Sequence, residues 1–257
     1  MCGITGYIGF REAYPIVIKG LQRLEYRGYD SAGIMMYDGQ EIHVSKTKGK
    51  VSDLEKITNK SESKKAGNIG IGHTRWATHG VPNDINSHPH TSMSGNLIIV
   101  HNGIIENYDT LKKELISRGY IFQSDTDTEV LINLIEEVKK QEECKLGKAV
   151  QIALTQVIGA YAIAVFDKTK PNEIVVARLG SPIAIGVGKD KKEFFVASDA
   201  SPFIEYTKNV IYLEDEEMAI IALDKDVSVR KIQDDSIIDT KIQALQLNLE
   251  QIEKGGY

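Results

Sequence analysis

Directly behind Met1 the chain reads Cys2-Gly3-Ile4-Thr5-Gly6-Tyr7-Ile8-Gly9, apolar residues spaced with glycines from the outset. This is a strand pattern, so the amino end is expected to be buried in a sheet and not frayed. Working outward, apolar runs at residues 33–37, 69–73, 97–101, 161–166, 174–177, 194–198 and 218–223 read as further strands. Helical spacing appears at Ile16, Val17, Leu21 and Leu24, at Leu111, Leu115 and Ile116, at Val130 through Val138, and at Val150, Ala153, Leu154 and Val157, which predicts four helices. Thr126-Asp127-Thr128-Glu129 fits a capping box at the start of the third. Helices fall mostly between two groups of strands, which favours layered α+β over a parallel nucleotide-binding sheet, and no GxGxxG or phosphate-loop pattern is present.

The chain has 257 residues and a composition 42% hydrophobic and 26% charged, the balance of a globular protein with a sizeable core. A net charge of -5 without a long basic run makes nucleic acid a poor partner. No apolar run approaches the roughly 18 residues of a membrane span, and the start lacks a signal peptide, so a cytoplasmic location is expected. Two cysteines, Cys2 and Cys144, exclude a disulfide framework and a four-cysteine zinc site. No repeat or linker interrupts residues 1–238, which read as one domain, and an amphipathic stretch with Ile242, Leu245, Leu249 and Ile252 follows.

Trimming of Met1 would leave a thiol and a free α-amine on Cys2. An α-amine with a pKa of about 7.7 to 8.0 can accept the thiol proton and return it to a leaving group. The alternative is an incidental small residue near the terminus. In Gly72-His73-Thr74-Arg75-Trp76-Ala77-Thr78-His79-Gly80, the planar fork of Arg75 suits a substrate carboxylate and equally a structural ion pair. Trp76 is more often core than gate. His101-Asn102-Gly103 follows an apolar run; Asn-Gly there usually marks a turn, while an amide and a backbone N–H side by side could form an oxyanion hole. Asp127 is by default a helix cap, and otherwise a partner for a substrate ammonium. His88-Pro89-His90 lacks metal-ligand spacing, so no metal is expected, and Cys144 reads as a bystander thiol.

Together, Cys2-Gly3-Ile4, Tyr26-Arg27-Gly28-Tyr29-Asp30-Ser31-Ala32-Gly33, Thr74-Arg75-Trp76-Ala77-Thr78-His79-Gly80, His101-Asn102-Gly103-Ile104-Ile105-Glu106-Asn107 and Ser124-Asp125-Thr126-Asp127-Thr128-Glu129 resemble the glutaminase domains of the glutamine–fructose-6-phosphate aminotransferase family. These are class II glutamine amidotransferases of the N-terminal-nucleophile hydrolase superfamily. The amidophosphoribosyltransferases share the Cys start and the Arg-Gly-x-Asp-Ser-Ala-Gly turn, but Glu25-Tyr26-Arg27-Gly28-Tyr29 and Arg75-Trp76-Ala77-Thr78-His79-Gly80 are more similar to the sugar-phosphate enzymes.

The resemblance implies a four-layer αββα sandwich of two stacked antiparallel sheets flanked by helices. It implies hydrolysis of the L-glutamine side-chain amide through a Cys2 thioester, with Asn102 and the Gly103 N–H as oxyanion donors and no cofactor. Arg75, Thr78 and His79 would hold the glutamine carboxylate, Asp127 its ammonium. Arg27 would support the nucleophile and Trp76 would shield the site. The family continues into a sugar-phosphate isomerase region and pairs as a homodimer, so residues 239–257 would begin that connection. If Met1 is retained, an inactive glutamine-binding module is the alternative.

Overall fold

The structure is a computed structural model that describes residues 2–76 and 80–245. Met1 and the predicted site residues Thr78 and His79 lie outside them, as does most of the expected carboxyl-terminal amphipathic stretch. One antiparallel sheet contains β1 (Gly3–Ile8), β2 (Ser31–Tyr37), β3 (Ile42–Lys48) and β4 (Ile69–Arg75). The other begins with β5 (His90–Thr91) and β6 (Leu97–Ile105), followed by β7 (Gly159–Asp167) and β8 (Glu173–Leu179). Then come β9 (Ala184–Val187), β10 (Phe194–Ala197) and β11 (Asn209–Tyr212), then β12 (Glu217–Ala222), β13 (Ser228–Lys231), β14 (Ile237–Ile238) and β15 (Gln243–Ala244). The first sheet runs β15-β11-β9-β10-β1-β4-β2-β3 and the second β14-β13-β12-β8-β7-β6-β5. The helices are α1 (Ala13–Leu24), α2 (Val51–Thr58), α3 (Tyr108–Ser117), α4 (Asp127–Gln141) and α5 (Leu146–Leu154).

Strand alternation sorts the apolar residues into three cores. Ile4, Ile8, Met35 and Ile71 of the first sheet meet Ile98, Val100, Ala162 and Phe166 of the second. The opposite face of the first sheet, with Tyr7, Ile34 and Phe195, is covered by Val17 and Leu21 of α1 and Leu54 of α2. Leu97, Ile99 and Ile163 of the second sheet pack on Val130, Leu134 and Val150 of α4 and α5. The chain is therefore the expected four-layer αββα sandwich, each sheet buried on both faces. Full burial of a Leu or Ile here contributes roughly 1.5–3 kcal/mol relative to exposure.

All eight predicted strands and all four predicted helices are present, and the structure adds to both lists. α2 escapes the pattern because its eight residues bury only Val51, Leu54 and Thr58. β3, with the sequence IHVSKTK, is a charged edge strand and carries little apolar signal. Several local expectations are corrected. Asn102-Gly103 is no turn: β6 runs through it to Ile105, paired with β7 in the register Gly103↔Tyr161 and Ile105↔Gly159. Gly103 has φ +134°, and a Cβ there would lie 2.0 Å from the Ala160 carbonyl oxygen, so a glycine is required by close strand approach. At α4, Thr126 Oγ1 accepts from the Glu129 N–H (3.3 Å), but the Glu129 carboxylate turns to Gln123 N and Ser124 N, leaving half a capping box. Asp127 is the first residue inside α4 and not its cap. At the carboxyl end, Gln243 and Ala244, within the amphipathic stretch expected to begin a connection, instead pair with β11 as strand. No helix among the described residues is long and apolar enough to cross a membrane.

Candidate active site

β1, β4 and β6 bring the quoted motifs to one end of the space between the sheets. Ile4 and Ile8 face the inter-sheet core, as do Ile71 on β4 and Val100 on β6. By the same two-residue period, Cys2, His73 and Asn102 point into it. Cys2 sits just ahead of β1, where its Sγ accepts from the Trp76 N–H at 3.2 Å and lies 3.5 Å from the Trp76 carbonyl oxygen. Burial pushes the thiol above its ordinary value, against the opposing pull of the Trp76 N–H and of the Arg75 charge.

Asn102 Nδ2 donates to the Cys2 carbonyl oxygen (3.2 Å) and to Ser198 Oγ (3.3 Å). Gly103 follows with its N–H on the open side of β6. The Glu106 N–H bonds back to Ile158 of the paired segment, whereas those of Ile105 and His101 turn outward, to Asp127 Oδ2 (2.8 Å) and His88 Nδ1 (3.2 Å). Antiparallel alternation therefore turns the Gly103 N–H the same way, into a cleft lined by Cys2, Arg75, Trp76, Gly103 and Asp127. The cleft is narrow, with a volume of about 10 Å³.

Arg75 ends β4 and is almost fully buried, with one guanidinium nitrogen donating to the Gly80 carbonyl (3.2 Å). Burial lowers its pKa, while the charges of Asp30, Cys2 and Asp127 act in the opposite sense. Asp127 reaches back from α4 to the Ile105 N–H, so the helix start is tied to the strand that carries Asn102. Trp76 is 56% exposed and is therefore not a core residue. Its ring covers Gly28, whose φ is +122°. Arg27 and Tyr26 both donate to Asp199 Oδ2 at 3.0 Å; the Arg27–Asp199 ion pair anchors the turn preceding β2, one residue away from Gly28.

Several polar residues around this cleft were given no role from the sequence. His73 Nε2 lies 2.9 Å from Asn102 Oδ1 and 3.0 Å from the His101 carbonyl oxygen. His88 stacks on His73 with ring centroids 4.2 Å apart, and His90 meets His88 edge-on. His101 bonds through Nδ1 to Thr128 Oγ1 at 2.9 Å. Ser198 Oγ accepts from the Ile4 N–H at 2.6 Å, which places β1 beside Asn102. The available signal was a polar side chain at an inward position of an otherwise apolar strand, as at His73. Cys144 lies away from this site, partly buried against the α4–α5 core. Among the described residues, no group of three or more His, Cys, Asp or Glu side chains is arranged to hold a metal ion.

Comparison with known proteins identifies the family. A family profile described as the glutamine amidotransferase domain matches residues 58–247. The glutamine–fructose-6-phosphate aminotransferase [isomerizing] of Bacteroides thetaiotaomicron is 54% identical over all of this chain, and that of Chlorobaculum tepidum 50%; the chain spans 41% of the length of each. Among solved structures, the glutamine phosphoribosylpyrophosphate amidotransferase from B. subtilis superposes with a TM-score of 0.75 at 32% identity, over 92% of this chain and 50% of that one. With the sandwich and the residues gathered around Cys2, the profile match establishes that the chain belongs to the glutamine amidotransferase domain family.

Proposed function

We propose that Cys2, freed of Met1, is the nucleophile of a glutaminase. The observation that carries this reading is the convergence of Cys2, Gly103, Arg75 and Asp127, from three strands and one helix, on a single cleft, with the Asn102 side chain bonded to the Cys2 carbonyl beside it. A thiol raised by burial is mostly protonated near neutrality, so it needs a base, and the α-amine of a processed Cys2 is the one at hand.

The amine takes the thiol proton as Sγ bonds to the amide carbon of glutamine, and the carbonyl π electrons move onto oxygen. Asn102 Nδ2 and the Gly103 N–H receive that oxyanion. Collapse of the intermediate breaks the C–N bond, the amine protonates the leaving nitrogen, and ammonia departs from a thioester. Water, deprotonated by the same amine, then adds to the thioester, and glutamate leaves as the thiol is restored.

Arg75 holds the substrate α-carboxylate, with Thr78 and His79 assisting, and Asp127 holds the α-ammonium. The ring of Trp76, exposed and seated at the cleft, yields to admit glutamine and then shields the site, while Arg27 supports the nucleophile's surroundings through its turn. The glutaminase unit takes in residues 1–238 together with β15 (Gln243–Ala244), and the residues after it lead onward. In the longer protein an isomerase region would receive the ammonia and aminate fructose 6-phosphate, in a cytoplasmic homodimer. The names of the relatives support this extension, as does the share of their length that the chain spans.

Intact mass measured alongside glutamate release is the direct test. Material lacking Met1 is expected to hydrolyse glutamine, Met1-retaining material to be nearly inert, and Cys2→Ala to abolish turnover. Processed protein without activity, or a Cys2→Ala variant with full activity, would refute the mechanism.

A further inference from the structure

We propose that His73 is a positioning residue that sets the orientation of the Asn102 carboxamide. The inference rests on the oxyanion role read for Asn102. His73 stands on β4, is 1% exposed, and crosses the inter-sheet space to β6, where Nε2 meets two oxygens at once. One is the His101 backbone carbonyl at 3.0 Å, and a carbonyl can only accept. Nε2 must therefore carry the ring proton.

That assignment propagates. The Asn102 atom 2.9 Å from Nε2–H has to be the acceptor Oδ1, so Nδ2 is turned to the opposite side. There it meets the Cys2 carbonyl oxygen at 3.2 Å, another group that only accepts. A flipped carboxamide would set an N–H₂ against the Nε2–H and an oxygen against the Cys2 oxygen, two repulsive contacts between the sheets. One imidazole proton thus decides that the nucleophile side of Asn102 is a donor.

The surroundings keep this tautomer in place. The ring of His88 lies nearly parallel over His73, with 19° between the planes. Gly33 on β2 lets the backbone carrying His88 come close, since a Cβ at Gly33 would lie 2.1 Å from the His88 carbonyl oxygen. The groups facing His73 are the rings of His88 and His101, the Asn102 amide and the more distant Arg75 cation, and burial dominates, holding His73 neutral with a pKa lowered to about 3. At physiological pH the ring is a fixed single donor toward Asn102.

The test is a double-mutant cycle on glutamine hydrolysis by this chain with Met1 removed, using His73→Leu, His73→Gln, Asn102→Ala and the His73→Leu/Asn102→Ala double variant. Losing a whole oxyanion donor costs about 10²–10³-fold in kcat. His73→Leu, which leaves the donor present but unoriented, is expected to lower kcat by about 10- to 100-fold with KM changed less than about 3-fold. His73→Gln, which can offer an amide N–H at the same place, should recover most of that loss. In the Asn102→Ala background, His73→Leu should add less than about 2-fold, because its only route to the reaction has gone. Equal losses in both backgrounds, or full kcat in His73→Leu, would overturn the proposal.

Unchanged kcat in Asn102→Ala would refute the oxyanion reading itself, and the proposal with it. Should His73→Leu not fold, ring nitrogen chemical shifts of the wild-type protein decide: the proposal requires a proton on Nε2 and none on Nδ1 of His73 from about pH 5 to 8, and the opposite tautomer sinks it.

Discussion

Gly28→Ala isolates the contact between two motifs that lie far apart in the chain. Gly28 has φ +122° and ψ 152°, a region open essentially to glycine alone. An L-residue there costs about 1–3 kcal/mol in backbone strain. An added Cβ would also lie 2.3 Å from Trp76 Cε3, against an optimal carbon–carbon separation of about 3.5–4.0 Å. The indole must therefore retreat by roughly 1 Å or more. It is exposed on its other side and can do so, but its backbone N–H is the group that contacts Cys2 Sγ.

Gly39→Ala provides the control, because Gly39 also has positive φ (+101°) and a Cβ there would meet nothing within 4 Å. Both variants should melt lower, by roughly 2–4 °C per kcal/mol for a domain of this size. Trp76 is the only tryptophan in the chain, so its emission reports the ring directly. Gly28→Ala should shift that emission and reduce glutaminase turnover, and Gly39→Ala should do neither. Identical emission spectra for wild type and Gly28→Ala would refute the reasoning, since a ring with a Cβ 2.3 Å away cannot stay where it is.

Acid should weaken the fold through the buried imidazoles. Unfolded, a histidine protonates near pH 6.5; folded, His73 does so only at about 3, and His88 and His90 are likewise held well below their ordinary value by burial. Between these limits the unfolded chain binds more protons, so stability is complete above about pH 6.5 and falls as pH drops toward 3, by about 1.4 kcal/mol per unit for each histidine. Urea midpoints at pH 7.5 and 5.5 should show this loss, and His73→Gln should lessen it; a pH-independent midpoint would count against neutral burial. Asp127→Asn keeps an oxygen for the Ile105 N–H but removes the charge proposed to face the glutamine ammonium. KM for glutamine should rise about 10- to 100-fold, matching the 1.5–3 kcal/mol of a charged hydrogen bond, with a similar melting temperature. An unchanged KM would mean that Asp127 serves only to tie α4 to β6.

Strands such as Gly3–Ile8 and Glu173–Leu179, and helices such as Asp127–Gln141, were legible because a regular apolar period is a local property of the chain. Edge strands such as Ile42–Lys48 were not, for their burial depends on what covers them. Asn102-Gly103 misled for the same reason: local turn propensity was overridden by pairing with β7, sixty residues away along the chain.

The sequence by itself determined the strand and helix runs, the nucleophile candidate at Cys2 and the set of candidate glutamine-site motifs, since these reside in residue identity and short spacing. Tertiary structure decided which way Asn102 faces, that Trp76 rests on Gly28, and that His73, His88 and Ser198 belong to the same cluster. Those facts depend on strands distant in sequence being stacked a sheet's thickness apart. A polar side chain on an apolar strand shows only that a partner must exist, and the packing of the two sheets selects it.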